Sequence, residues 1–237
     1  MEAAGYVTLS RQSGLLSEMR IVANNIANSA TTGYRQEGLI FSEYVSSTPG
    51  QSSISMTRAQ VRNTSMEQGG LTQTNGKFDF AIEGDGFFLV ETPAGERLTR
   101  AGNFSPNADG DLVNANGFRV LDPGGAPVFV PGAMVDVSVA SDGTLSADGR
   151  VLGQIGLFRP ADPLDMIRED GVMFRADGGV EPSDRATILQ GFLEGSNVNP
   201  ILQLSRMIEI QRAYETGQSF LETEDQRIRN AIKTLIR

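Results

Sequence analysis

The sequence predicts an α+β fold in which paired N- and C-terminal helices, packed like a coiled coil, enclose a central antiparallel β domain rich in hairpins. Three observations lead to this prediction. Near the start of the chain apolar residues step by four, three and four, near its end they recur every seven residues, and between the two they alternate. The first two spacings are typical of helices packed along their length, and alternation is typical of strands. One helix at each end covers little of the other, so we expect partners from outside the chain.

The first predicted element is a helix from residue 1 to about 33, within a segment, 1–45, that we assign to an inner helical layer. Gly33 marks its expected end, because glycine just past a periodic run commonly stops a helix. The apolar positions of this helix are Leu15, Met19, Val22 and Ile26.

Three asparagines, Asn24, Asn25 and Asn28, lie on or beside this apolar stripe. One interpretation is capping near the end of the helix, which asparagine favours. The other is hydrogen bonding to neighbouring helices, because a buried amide without partners costs about 1–3 kcal/mol. Several amides at one contact would set the register among packed helices.

Residues 46–75 are rich in Ser, Thr, Gln, Asn and Gly and poor in apolar residues. This composition predicts an extended linker or a strap along the surface.

A β domain is predicted over 76–190. Apolar residues alternate over 78–82 and 135–139, whereas the solid apolar run 87–90 suits a strand buried on both faces. Eight Asn-Gly or Asp-Gly pairs indicate tight turns, because both residues of such a pair tolerate positive φ. Their first residues are Asn75, Asp85, Asp109, Asn116, Asp142, Asp148, Asp170 and Asp177.

The last element is a long helix within 191–237. Asn199 fits its N-cap and Pro200 its first turn. A first stripe, repeating every seven residues, comprises Met207, Tyr214, Leu221, Ile228 and Leu235. A second stripe, polar in its middle, comprises Leu204, Gln211, Gln218, Asp225 and Ile232. A polar stripe weakens a private pairing of two helices but fixes register against a specific neighbour.

Composition narrows the classes of function. The chain has no cysteine and no histidine, which excludes disulfides and thiol nucleophiles and removes the commonest metal ligand and general base. We therefore predict no catalytic, cofactor or metal site. A net charge of −9 argues against nucleic acid as a partner. No apolar run is long enough for a membrane span, and the N-terminus lacks the basic and apolar regions of a cleaved signal peptide.

Two local patterns resemble sites of other classes. Residues 107–111 look like a calcium loop, but the glycine is misplaced and no closing glutamate follows, so a β-turn is the better interpretation. Glu83 and Asp85 could act as paired carboxylates, yet residues two apart do not oppose each other across a substrate. A carboxylate-based cell-wall glycosidase and a secreted adhesin with coiled-coil ends are the alternatives from other classes.

Three groups of motifs, in order along the whole chain, resemble those of bacterial flagellar rod and hook proteins. Residues 23–35 (ANNIANSATTGYR) are similar to the N-terminal signature of this family. Residues 80–88 and 98–104 resemble the start of its central β domain. The C-terminal signature is matched by 193–199, 207–209 and 211–215.

Within the family, two rod subunits have about this length, one on the proximal side and the distal rod protein. The opening residues 6–12 are more similar to the proximal-side subunit, and the distal rod protein is the alternative. Residues 203–206 depart from the family's pattern, which leaves the lateral contacts open.

The resemblance implies a structural, non-enzymatic subunit of the basal-body rod that crosses the periplasm, polymerises through its terminal helices and transmits motor torque. The implied partners are other rod subunits, further copies of the chain, and the flagellar type III export apparatus. Export would then occur without a cleaved signal peptide. The candidate subunit contacts are Asn24, Asn25, Asn28, Leu15, Met19, Val22, Ile26, Met207, Gln211, Tyr214, Gln218, Leu221 and Ile228.

Overall fold

A computed structural model describes residues 2–46, 54–131, 137–183 and 185–235 of the 237-residue chain. The order of its elements is an N-terminal helix, mostly antiparallel strands and a C-terminal helix, which confirms the predicted α+β class. The chain forms two compact units. The helical unit comprises Met1–Ala27, Glu37–Ser65 and Asn199–Arg237, and the β unit comprises Asn28–Gln36 and Met66–Val198.

The helical unit contains two helices and a two-stranded sheet. Its elements are α1 (Glu2–Ala27), β1 (Glu37–Ser46), β2 (Ile54–Thr64) and α2 (Pro200–Leu235). The helices run antiparallel, because Asn25 near the end of α1 contacts Gln203 near the start of α2, while Gln12 lies against Gly217 further along. Neither described helix is long and apolar enough to cross a membrane.

The start of α2 agrees with the sequence. The Asn199 side-chain oxygen accepts hydrogen bonds from the backbone N–H groups of Ile201 and Leu202, at 3.1 and 3.3 Å. Asn199 is therefore the predicted N-cap, and Pro200 occupies the first helical position, where its missing N–H is not needed.

The end of α1 differs from the prediction, because the helix stops at Ala27 rather than near residue 33. The backbone oxygen of Asn28 accepts from the Thr31 N–H, and its side-chain oxygen accepts from the Thr31 hydroxyl, both at 3.1 Å. These bonds form a turn in place of another helical turn. Gly33 has φ +69°, and a Cβ there would lie 2.3 Å from the Ala101 nitrogen, so a close backbone approach requires this glycine.

The β1–β2 hairpin was not predicted. Its strands pair antiparallel from Glu37 opposite Thr64 to Ser46 opposite Ile54, with an irregularity at Ile40 and Phe41. Both strands pack against α1. The expectation of a linker or strap from residue 46 is corrected here for residue 46 and for 54–64, whereas 47–53 lie outside the described residues. In the sequence, polar residues interrupt the alternation of apolar residues that would have indicated pairing.

The β unit contains sixteen strands within its described residues. They are β3 (Leu71–Gln73), β4 (Phe80–Glu83), β5 (Phe87–Thr92), β6 (Gly95–Thr99), β7 (Ser105–Pro106), β8 (Leu112–Val113), β9 (Arg119–Val120), β10 (Val137–Val139), β11 (Thr144–Ala147), β12 (Arg150–Gln154), β13 (Leu157–Pro160), β14 (Met166–Asp170), β15 (Met173–Ala176), β16 (Val180–Pro182), β17 (Thr187–Gln190) and β18 (Phe192–Glu194).

The largest sheet has the order β14-β15-β6-β5-β9-β8-β7, with β13 paired to β5 and β16 to β13. The remaining strands form a three-stranded sheet β10-β11-β12 and the pairs β17-β4 and β18-β3. All of these pairings are antiparallel.

Strand β5 confirms the prediction of a strand buried on both faces. Phe88 and Val90 belong to one hydrophobic cluster, and Phe87 and Leu89 belong to another. All four side chains are buried. The apolar run therefore stabilises the sheet from two sides, which an alternating strand with one wet face does not do.

Three turns of the same construction follow one another at Asn107, Asn114 and Asp122. In each, one side-chain oxygen accepts two backbone N–H bonds, from residues two and four positions later. The stretch that looks like a calcium loop is one of them, since the Asn107 side chain is occupied by the N–H groups of Asp109 and Asp111, both at 2.9 Å. The prediction of a plain turn is confirmed.

Candidate functional site

A buried ion cluster lies at the centre of the β unit. The Glu194 carboxylate contacts Arg35 Nη2 at 2.9 Å through one oxygen and Arg100 Nη1 at 3.0 Å through the other. The first oxygen also accepts the Gly69 backbone N–H at 3.0 Å. The side chains of Arg35, Arg100 and Glu194 are 1%, 2% and 1% exposed. The cluster therefore joins residues from distant parts of the sequence away from water.

The terminal nitrogens of the two guanidinium groups also bind backbone carbonyls. Arg35 Nη1 donates to the Met66 oxygen at 3.0 Å. Arg100 donates to the Ile82 oxygen at 3.3 Å and to the Gly84 oxygen at 2.6 Å. Each arginine thus holds a separate loop while both bind one carboxylate. The planar guanidinium group, with its five N–H donors, can make such contacts in several directions at once.

Burial dominates the electrostatics of the cluster. It lowers the pKa of Arg35 to about 10, with the positive charge of Arg100 adding to the effect and the carboxylates of Glu194 and Asp85 opposing it. Burial also lowers the pKa of Arg100, again against Glu194. Among the described atoms, the Nε groups of Arg35 and Arg100 have no hydrogen-bond acceptor. Two cations and one anion in a dry site cost desolvation energy, so the cluster favours one particular arrangement more than it adds net stability.

Further contacts hold the segment that carries Arg35. The guanidinium of Arg168 lies over the rings of Tyr34 and Phe174, at 4.4 and 4.5 Å from their centroids, and it also donates to the Arg35 backbone oxygen. The Asn197 side chain accepts from the Gln36 N–H at 2.6 Å. Residues 33–36 are therefore held from both sides within the β unit.

This arrangement brings together the three groups of motifs that carry the family resemblance. Arg35 belongs to 23–35, Arg100 to 98–104 and Glu194 to 193–199. Sequence reasoning did not predict their contact, because no spacing rule links charges so far apart. The available signal was charge within otherwise small or apolar motifs, since arginine and glutamate are rarely buried unless paired.

In the helical unit, the Asn25 side chain bonds to both Glu37 and Gln203. Its side-chain oxygen accepts the Glu37 N–H at 3.0 Å, and its side-chain nitrogen donates to the Glu37 oxygen at 2.8 Å and to Gln203 Oε1 at 3.3 Å. Asn25 is 1% exposed. The side chain of Asn25, a candidate subunit contact, therefore bonds to a neighbouring helix, as one interpretation held, but that helix belongs to the same chain.

The other two asparagines occupy different environments. Asn24 is exposed on α1, whereas Asn28 forms the turn that follows the helix. The capping interpretation fits Asn28, and the amide-bonding interpretation fits Asn25. Adjacent residues of one motif thus have separate structural roles, which its spacing alone does not reveal.

The remaining candidates divide between the contact of the two helices and the outer surface. On α1, Val22 is buried, and the side chains of Leu15, Met19 and Ile26 are half-buried. On α2, the inner stripe comprises buried or half-buried residues at 3.5-residue spacing, namely Gln203, Met207, Ile210, Tyr214, Gly217, Leu221 and Glu224. Gln211, Gln218 and Ile228 are exposed. The inner stripe includes Met207, Tyr214 and Leu221 from the predicted first stripe but excludes the second stripe.

The candidate carboxylates do not form an opposed pair. Glu83 ends β4 and is exposed, and Asp85 lies in the bend that follows. The backbone of this bend is used structurally, because the Gly84 oxygen accepts from Arg100 and the Asp85 oxygen accepts from the Ser183 hydroxyl, both at 2.6 Å. The bend therefore anchors the buried cluster.

Comparison with protein families agrees with the three motif groups. Residues 6–35 match the family described as flagella basal body rod protein. Residues 81–147 match the D1 domain of the flagellar hook protein FlgE/F/G family, and residues 189–234 match the C-terminal family of flagellar basal body rod FlgEFG proteins. These matches assign the chain to the flagellar rod and hook proteins as a class.

Full-length relatives narrow the assignment. Flagellar basal-body rod protein FlgF of Mesorhizobium japonicum is 37% identical, with 99% of this chain and 98% of that protein covered. FlgF of Caulobacter vibrioides shows the same identity and coverage. Flagellar basal-body rod protein FlgG of Bacillus subtilis is 32% identical over 93% of this chain and 94% of that protein. The chain belongs to the family of bacterial flagellar basal-body rod proteins.

Membership of this family makes the chain a structural subunit of the basal-body rod rather than an enzyme. The distal rod protein, FlgG, is not better supported than FlgF as the counterpart of this chain.

Proposed function

We propose that the chain polymerises with other rod subunits through its terminal helices and that the polymer transmits motor torque. One observation carries this proposal: among the described side chains of the helical unit, those that cover α2 cover little beyond its inner stripe. Seven large apolar residues of α2 are between 44% and 73% exposed, namely Ile201, Leu202, Leu204, Ile208, Phe220, Ile228 and Ile232. An exposed apolar surface of this kind is typical of a protein contact.

The 36-residue length of α2 supports the same proposal. A single antiparallel partner covers one side of such a helix, so two further sides are available to neighbours in a coiled-coil-like layer. We propose that the terminal helices form an inner layer of the rod and that the β domain, over 76–190, forms an outer layer. Contacts that do not close into a ring produce an open helical array.

Under this proposal the candidate residues have two roles. Asn24, Gln211, Gln218 and Ile228 have exposed side chains and contact neighbouring subunits. The remaining candidates stabilise the helix pair that presents them. Torque transmission requires contacts of low compliance, and densely packed helices provide them because protein interiors are nearly incompressible.

The partners follow from the family. Rod and hook proteins are the relatives of this chain, so we propose other rod subunits and further copies of the chain as its contacts. We also propose that the rod spans the periplasm and that the flagellar type III apparatus exports the chain without a cleaved signal peptide.

The experiment replaces the exposed apolar residues at the start of α2. The triple variant Ile201→Ser, Leu204→Ser and Ile208→Ser is introduced into a strain that lacks the native subunit. We expect a chain with unchanged circular dichroism that is exported but fails to enter basal bodies, so that swimming is lost.

The matched control is Val151→Ser, which removes an exposed apolar side chain from β12 in the β unit. It should leave swimming close to that of the unaltered chain. Normal incorporation of the folded triple variant would refute assembly through this part of α2.

A further inference from the structure

The first turns of α2 present two faces that compete for α1. The inner face contains Gln203, which is 9% exposed. The face about 100–160° away around the helix carries an outer patch of Ile201, Leu204 and Ile208, which are 73%, 52% and 49% exposed. The inner face also carries Met207 and Ile210, so the two faces differ mainly in that one buries an amide where the other would bury a third aliphatic side chain. Apolar burial alone therefore favours the outer patch, because burial of a large aliphatic side chain is favourable and burial of an amide is not. In the structure, however, the Gln203 amide is buried and the outer patch is exposed.

The reason lies in the hydrogen bonds of Asn25. This side chain satisfies both backbone groups of Glu37 at the start of β1, with distances of 3.0 and 2.8 Å. Its nitrogen has a second hydrogen, which is directed at Gln203 Oε1 at 3.3 Å. Since Asn25 is buried, rotation of α2 would remove this acceptor from a dry site, which is unfavourable.

A second contact supports the same rotation of the helix. Arg206, almost one turn after Gln203, contacts the Glu18 carboxylate of α1 at 2.6 Å. Arg206 is half exposed, so this pair is the weaker of the two restraints. The amide pair is distinctive because it is buried and its geometry reaches both α1 and β1.

We propose that the Asn25–Gln203 amide pair selects which face of α2 packs against α1 and thereby keeps the outer patch on the surface. A single buried asparagine that fixes register in coiled coils acts by the same principle, in that a polar contact excludes an alternative that apolar burial would accept. Asn25 and Gln203 are positioning residues here. The proposal concerns the chain alone and holds whether or not the outer patch is an assembly surface.

The absence of cysteine from the chain makes a direct test possible. Two probe variants, Ile208→Cys on the outer face and Ile210→Cys on the inner face, report which face is covered. Ile210 is buried at 2% exposure, and both probes replace the same residue type. Rates of maleimide labelling are measured on the full chain at a concentration where light scattering shows a monomer. We expect the outer probe to react at least about tenfold faster.

The decisive background is the double variant Asn25→Ala with Gln203→Met, in which the labelling ratio should fall to about one or invert. Adding Ile201→Ser and Leu204→Ser to this background removes the competing apolar face and should restore most of the original ratio. If the amides only stabilised the fold, deleting apolar surface elsewhere would not restore the labelling ratio. Gln226→Met, an exposed position of α2, is the matched control and should change nothing.

A folded double variant with an unchanged labelling ratio would overturn the proposal. If the double variant loses its helical circular dichroism, the single variant Gln203→Met is measured in the same way, because it retains the Asn25 bonds to Glu37. An unchanged ratio there, or loss of helical structure in that variant too, counts equally against face selection.

Discussion

At the scale of single residues, the Glu194 carboxylate joins distant segments of the β unit. Each of its oxygens accepts from a different arginine, and those arginines bind the loop before β3 and the bend after β4. The site carries one positive charge in excess within a region that excludes water. Such a cluster tolerates the loss of a member poorly, because the remaining charges stay buried.

We therefore expect Glu194→Gln to lower the free energy of unfolding by about 3–5 kcal/mol, since Arg35 and Arg100 would then repel each other without compensation. Urea denaturation followed by circular dichroism measures the change. Glu181→Gln is the control, because Glu181 pairs with Arg159 at 2.9 Å on the surface and should lose less than about 1 kcal/mol. Equal losses in the two variants would contradict the assigned role of Glu194.

Gly102 provides a second test at this scale. A Cβ at this position would lie 1.8 Å from the Phe80 backbone oxygen, which belongs to β4 and cannot move aside easily. We expect Gly102→Ala to cost about 3 kcal/mol through overpacking. Gly153→Ala, where nothing lies within 4 Å of the added atom, should stay within about 0.5 kcal/mol. Denaturation midpoints of the two variants that coincide would disprove this account.

At the scale of elements, the sequence predicts those features that depend on residues close together in the chain. The solid apolar run of β5, the Asn199 cap and the turn at Asn107 were predicted correctly, because each depends on residues close together in the chain. The end of α1 was misplaced because the turn at Asn28 overrides a pattern that continues in the sequence.

The β1–β2 hairpin and the buried cluster illustrate the opposite case. The strands pair within a polar stretch and pack against α1, so a tertiary contact stabilises what composition does not indicate. Arg35, Arg100 and Glu194 come together only through the fold. The candidate subunit contacts stay a prediction, and the inner face of α2 was predicted incompletely because the Asn25–Gln203 bond is a tertiary feature.

The far end of α2 yields a prediction about dynamics. Every described side chain from 225 to 234 is exposed, so these helical turns depend on their own hydrogen bonds and on exposed ion pairs within the helix, such as Arg229–Asp225. We expect their amides, and those of the first turns of α1, to exchange with deuterium far faster than those of β5, measured at low protein concentration. Strong protection at both ends under these conditions would show that the helices need no neighbours.

At the scale of the whole molecule, the two units differ in the number of buried hydrophobic residues among the side chains that the structure describes. The described buried hydrophobic residues of the helical unit are Ile21, Val22 and Ile210, whereas the β unit contains two extensive clusters. Hydrophobic burial is the main favourable term in folding, so the units should differ in stability.

We therefore expect thermal unfolding in two steps, with the helical unit first. Circular dichroism at 222 nm follows the helices, and pulsed hydrogen exchange of the peptide containing β5 follows the β unit. The helical signal should be lost at a lower temperature than the protection of β5. A single coincident transition would mean that the molecule unfolds as one cooperative body.

The Glu194 contacts also constrain the order in which parts of the β unit can fold. A chain that emerges N-terminus first presents Arg35 early and gains its carboxylate partner only after β17 and most of β18 have followed. Contacts between residues so far apart in sequence form late, because the loop between them must close first. Until that moment the two arginines lack the carboxylate that they share. We therefore expect the β unit to close only once β18 is present. A chain that ends before β18 lacks the carboxylate that Arg35 and Arg100 share.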